Sequence, residues 1–208
     1  YAFRDMVTEQ FKTLVHVDNN VNLAAQAESR VGAASDLDNF IYFHLSVSSM
    51  GEGYAFNSLG STHCLDGKPY RGAHYSAGEI DRLLQDTVPV SELSANELLL
   101  MGEADGELTD VMKQLAVGTG RTLATICDLI DPQSVIIGSN MPFCNKPLIE
   151  IVQAELNKNL VPVPDRFIPV ITSELGDHSV AMGAAITALD RAVSDVENGV
   201  LSSLRSGS

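Results

Sequence analysis

Two short apolar runs, SVIIGS at 134–139 and FIPVITS at 167–173, place the tightest limit on the fold of this chain. Each is too short for a buried helix, and an apolar run of this length reads as a strand covered on both faces. Strands of that kind belong to parallel sheets whose connections are helical. The stretch between them supplies such a connection, because Leu148, Ile151, Val152 and Leu156 recur at helical spacing from about Pro147 to Asn157. A longer helix is expected over 107–130, with Leu108, Val111, Met112, Leu115, Leu123, Ile126, Cys127 and Ile130 mostly in register and Asp131-Pro132 as its stop. Gly118 and Gly120 inside it predict close packing against a neighbouring backbone, since glycines in a helix cost stability. A last helix over 179–196 carries a small-residue face of Ala181, Gly183, Ala184, Ala185 and Ala188.

The N-terminal half reads differently. Phe3, Met6, Val7 and Phe11 predict a helix over 2–12, LVHV at 14–17 a short strand, and 22–31 a second helix after the polar cluster Asp18-Asn19-Asn20. Asn and Asp at such a junction serve most simply as turn and N-cap residues. The runs at 39–47, 53–59 and 62–67 predict three strands of an antiparallel meander, the last two divided by Gly60-Ser61. Pro89 and the cap signals at Ser91 and Ser94 predict one or two short helices within 86–103. A meander followed by βα units gives an α/β chain with a mixed sheet and flanking helices.

One loop stands apart chemically. YRGAHYSAGEIDRLL at 70–84 surrounds Glu79 with small residues and then turns amphipathic at Ile80. The small residues let backbone approach a ligand or another element closely, and the Glu79 carboxylate is placed to accept hydrogen bonds from hydroxyls. The same residues also describe a loop entering a helix, with Glu79 in its first turn.

A formal charge of −14 repels phosphate backbones, so this segment is not expected to bind nucleic acid by itself. No apolar run is long enough to span a bilayer and the N-terminus lacks signal-peptide character. Cys64, Cys127 and Cys144 are odd in number and widely spaced, which fits a reducing cytoplasm and neither a disulfide scaffold nor a zinc ribbon.

Four stretches, in order along the chain, resemble motifs of the ROK family of sugar-responsive repressors and sugar kinases. The loop at 70–84 is similar to RGANGAAGEIGH, VDNNVNLAAQAE at 17–28 to V-E-N-D-A-N-x-A-A-x-x-E, IDPQSVIIGSN at 130–140 to D-P-E-x-I-V-I-G-G-G, and LGDHSVAMGAA at 175–185 to L-G-D-D-A-G-L-x-G-A-A. The resemblance implies the C-terminal lobe of an actin-like (ribonuclease H-like) ATPase fold over 1–197, a flexible tail at 198–208, and an N-terminal lobe and DNA-binding domain outside this sequence. It implies a sugar site in which Glu79, Asn19 and Asn20 contact hydroxyls, with Arg82 a further donor where many members have His.

Three departures bear on chemistry. Asn20 stands where the kinases have the Asp that serves as general base, and an amide has no such basic site. LSVSSMGE at 45–52 replaces the glycine-rich phosphate loop and adds Glu52. The cysteine cluster that accompanies zinc in many members has no counterpart in 83–103, so no metal and no cofactor are expected. These features imply a catalytically inactive, sugar-sensing lobe of a transcriptional regulator, homodimeric through this lobe and reaching DNA only through the missing domain. Two alternatives stay open: an ATP-dependent kinase of a hexose or N-acetylhexosamine, and a dimerisation lobe without ligand.

Overall fold

The computed structural model describes residues 2–50, 53–80, 92–140 and 145–197. Helix α1 (Ala2–Phe11) leads by a turn at Lys12 and an irregular segment to α2 (Asn20–Val31), and the antiparallel strands β1 (Phe40–Met50) and β2 (Gly53–Leu65) follow. The short strands β3 (Lys68–Pro69) and β4 (Glu92–Leu93) both pair with β2. Next come α3 (Ala95–Met101), α4 (Asp110–Ile130), β5 (Ser134–Ser139), α5 (Lys146–Asn159) and β6 (Val170–Thr172). A single 3₁₀ turn, Gly176–His178, opens into α6 (Ser179–Glu197). The sheet runs β3-β2-β1-β5-β6, with β1, β5 and β6 parallel and β2 antiparallel to β1, so it is mixed as expected.

Strand β1 organises both layers because alternate side chains point to opposite faces. Ile41, Phe43 and Leu45 join Val135 and Ile137 under Leu115, Leu123, Leu148, Val152 and Leu156 from α4 and α5. Phe40 and Tyr42 face the other way and meet Val21, Ala24 and Ala25 of α2. The glycine expectation in α4 holds at Gly120, where an added Cβ would lie 2.7 Å from the Val152 carbonyl oxygen of α5. The α4 stop also holds, with Asp131 in the left-handed region at φ 52. Ser94 and Glu97 form a reciprocal capping box at the start of α3.

Three expectations are corrected. Residues 14–17 pair with no strand among the described residues. The runs at 53–59 and 62–67 are one strand, β2, which passes straight through Gly60-Ser61. Gly60 is small because Val21 Cγ2 would lie 2.6 Å from a Cβ there, so it marks helix–strand contact rather than a turn. Glu79 lies in no helix and instead forms an isolated antiparallel bridge with Gly60. Arg82, Cys144 and the tail at 198–208 lie outside the described residues.

Candidate functional site

The junction before α2 is a closed polar unit. Asn19 is the N-cap, with its Oδ1 accepting from the Val21 N–H at 2.8 Å, as its residue type predicts. Asp18 accepts from the Asn19 N–H at 2.9 Å, from Asn22 Nδ2 at 3.1 Å, and from two guanidinium nitrogens of Arg71, Nε at 3.0 Å among them. Burial pushes the Asp18 carboxyl up, but the hydrogen bonds from Arg71 and Asn22 outweigh it and hold the group below its ordinary value. Arg71 belongs to the loop that carries Glu79, so this ion pair ties the two stretches together across 53 residues of sequence.

The loop is fastened at its other end by backbone. The Ser61 N–H donates to the Gly78 carbonyl at 2.9 Å, and Gly78 adopts φ 88. A Cβ at Gly78 would lie 1.7 Å from the Ser61 oxygen, so both conformation and space demand glycine immediately before Glu79. Glu79 itself is exposed, opposite Gly60. Because Gly60 touches Val21, Glu79 and the start of α2 share one neighbour.

Asn19 and Asn20 line different cavities. Asn19 lines a cleft of about 520 Å³ together with Phe3, His16, Asp18, Tyr75 and Arg191. Asn20, the first residue of α2, lines a second cavity of about 350 Å³ with His44, Ser46, Ser139, Asn140, Gly176, Asp177, Ser179 and Val180. That cavity opens where the parallel pairing of β1 with β5 stops, at Leu45 and Ser139, and the carboxyl end of a parallel strand such as β5 is the usual place for ligands in an open α/β sheet. The pairing of β1 with β2 shifts register between Ser46 and Val47, and such bulges commonly re-aim side chains beside sites. Glu79 is not among the residues lining either cavity.

The family resemblance assigned Asn19, Asn20 and Glu79 to one sugar site, and nothing in the sequence assigned a role at it to Asp18, Arg71, His44 or Ser179. Charge complementarity between Asp18 and the only arginine of the loop's first half was the available signal for the first pair. No local signal marks the other two. His178 is exposed in the 3₁₀ turn, in keeping with a surface role. Among the described residues no three His, Cys, Asp or Glu side chains gather as a metal site, and no helix is long and apolar enough to cross a membrane.

With this geometry in view, residues 60–191 match the ROK family. The chain belongs to the ROK family. It is 21% identical over 211 residues to the DNA-binding transcriptional dual regulator NagC of Escherichia coli K12, covering 86% of this chain and 51% of that protein. The chain therefore spans about half the length of the curated relatives it matches. A ROK transcriptional regulator described as a homolog of E. coli Mlc superposes with TM-score 0.68 at 20% identity, over 88% of this chain and 54% of that one. A ROK glucokinase from Streptomyces griseus, solved with glucose and AMPPNP, superposes with TM-score 0.65 at 20% identity, over 88% and 71%. The mixed sheet with its flanking helices is thus the actin-like fold of ROK proteins, a fold common to regulators and kinases.

Proposed function

We propose that this chain is the C-terminal lobe, over residues 1–197, of the sugar-sensing domain of a ROK-type transcriptional regulator that binds a sugar effector and does not phosphorylate it. The observation that carries the reading is Asn20. It lines the cavity beside His44 and Ser46 of β1 and the C-terminal end of β5, and at its position the family resemblance calls for a carboxylate general base. An amide donates and accepts hydrogen bonds but takes no proton from a hydroxyl at neutral pH, which leaves binding without proton abstraction. Asn19, Asn20 and Glu79 are the residues assigned to the sugar, with Arg82 a further donor to it. DNA is reached through a domain outside this chain, and a homodimer forms through this lobe.

The kinase reading draws on the same fold, which the S. griseus glucokinase shares. Calorimetry of the full-length regulator with a sugar panel, with and without ATP, tests both. Sugar binding indifferent to ATP, with no phosphorylated product, is the expected result, and ATP-dependent turnover of any hexose or N-acetylhexosamine above background overturns it. Glu79→Ala should weaken sugar binding by about 10- to 100-fold, the loss of one charge-assisted hydrogen bond of about 1.5–3 kcal/mol, while the folded circular dichroism spectrum is retained. An unchanged dose response removes Glu79 from the site.

A further inference from the structure

The loop that carries Glu79 presents an aromatic ring at a backbone position suited to glycine. Tyr75 is 76% exposed and sits in the left-handed region at φ 57. Bulky side chains rarely adopt that conformation, because Cβ crowds the following carbonyl oxygen. The motif RGANGAAGEIGH, which the loop resembles, has glycine at the corresponding position, so the bend itself calls for no side chain. Nor does packing account for the ring. Tyr75 joins neither apolar layer of the sheet and, among the described residues, stacks on no other ring. Backbone held in a costly conformation without such a return concentrates at ligand sites. The loop also keeps its tip in place, since the Ala77 N–H donates to the Arg71 carbonyl at 3.3 Å, Arg71 is anchored on Asp18, and Gly78 on Ser61.

The chemistry around the ring decides what kind of ligand fits. Tyr75 lines the cleft of about 520 Å³ that Asn19 also lines, and Phe3, 63% exposed, is a second aromatic in it. Polar groups share the space. Asn19 uses its Oδ1 to cap α2 and keeps Nδ2 as a donor. His16 lies 2.6 Å from Arg191 through Nδ1, and burial and the Arg191 charge hold its imidazole below its ordinary value. Asp18 is already taken up by Arg71 and Asn22. A matching ligand therefore has an apolar face for the aromatic rings and hydroxyls at its edge for the amide and imidazole. A pyranose is built that way. Its axial C–H bonds are positive at hydrogen and meet the negative face of an aromatic ring, while its equatorial hydroxyls radiate outward.

We propose that Tyr75 is a specificity-determining residue whose ring seats the C–H face of the effector's pyranose in the Asn19 cleft. The assignment rests on the sugar-sensing reading above. Titration calorimetry of the full-length regulator with free hexoses and N-acetylhexosamines, glucose and N-acetylglucosamine among them, tests it on the wild type and on Tyr75→Phe, Tyr75→Asn and Tyr75→Gly. Asn and Gly both accept a positive φ, so these variants keep the bend and remove the ring. Each should weaken the sugar that the wild type binds by about 3- to 10-fold, while Tyr75→Phe stays within about twofold. Tyr75→Gly should also unfold at no lower a temperature than the wild type, since glycine relieves the backbone. Full affinity in Tyr75→Asn overturns the inference and leaves the sensing reading standing. A loss in Tyr75→Phe as large as in Tyr75→Asn overturns it as well, by making the hydroxyl the contact instead of the ring face. Earlier unfolding of Tyr75→Gly does the same, by making the ring a prop for the loop. A wild-type protein that binds no sugar of the panel removes the sensing reading itself and this inference with it.

Discussion

The two faces of the central sheet are made by the same strands and finished in opposite ways. On one, Ile41, Phe43, Leu45, Val135 and Ile137 lie under α4 and α5 in a continuous apolar layer closed tightly enough that Gly120 touches the α5 backbone. On the other, α2 offers mostly alanines, and polar groups are drawn inside: Glu28 is fully buried, and Tyr42 is buried with its phenol pushed up to about 12 by desolvation. Among the described residues Glu28 has no basic partner. Its carboxylate accepts instead from the Ser173 hydroxyl and from the Ala33 and Leu175 N–H groups, fixing the loop that carries Gly176 and Asp177 to the cavity. The difference separates two tasks. One face holds the sheet together; the other gives up apolar contact to position polar groups.

If that division is right, core truncations should cost unequally across the sheet. Phe43→Ala, on the α4/α5 face and fully buried, should lose about 3–5 kcal/mol, since a large side chain and its cavity are both at stake. Val21→Ala, on the α2 face, removes only two methyls and should lose about 1.5 kcal/mol. Urea unfolding midpoints measure both. Equal losses would dissolve the distinction between a structural face and a site face.

The Asp18–Arg71 pair sharpens the comparison from the site side. Arg71→Met should cost about 1.5 kcal/mol at neutral pH, because Asp18 is mostly buried and loses its charged donor. The folded Asp18 carboxyl lies below its ordinary value, so its contribution is present above the unfolded value of about 3.9 and fades as pH falls through the lower folded value. The stability difference between wild type and Arg71→Met should therefore shrink as pH drops below about 4. A difference that widens in acid would mean Arg71 acts through packing rather than through Asp18.

What the sequence disclosed follows the same division. The α4/α5 face was legible because its helices and buried strands carry long, regular apolar patterns, and the stop at Asp131 and the cap at Ser94 are local chemistry. The site face was less so. Gly60 looked like a turn, but its small size serves contact with Val21, a residue 39 positions earlier that no local pattern points to. Gly78 looked like the entry to a helix, whereas its positive φ and the Ser61 carbonyl fix Glu79 in a strand bridge. By residue type Asn19 and Asn20 read as turn and N-cap residues, and only the family resemblance assigned them to a sugar. His44 was not singled out, since a histidine in an alternating strand resembles any core residue until β5 and α6 bring Ser139 and Ser179 beside it.

The smallest effect on folding, and a sharp test of how the lobe is used, lies on α6. Ala184 and Ala188 are exposed, as are Leu189, Val193 and Val196 on the same helix and Phe3 and Phe11 on α1. Between these helices runs a groove of about 720 Å³ lined by Lys12, Leu14, His16, Ala188 and Ala192 among others. Apolar surface of this extent tends to be covered in an assembly, and two-fold pairing is the commonest way. Ala184→Glu should change the stability of the single chain by no more than about 0.5 kcal/mol, because the position is solvated in a helix that tolerates Glu well. It should nevertheless weaken self-association, since a charge would be buried in the contact. Sedimentation over a wide concentration range separates the two effects: a dimer that Ala184→Glu dissociates supports pairing through this face. A wild-type chain that stays at one chain mass at high concentration assigns these apolar residues to a partner other than a second copy.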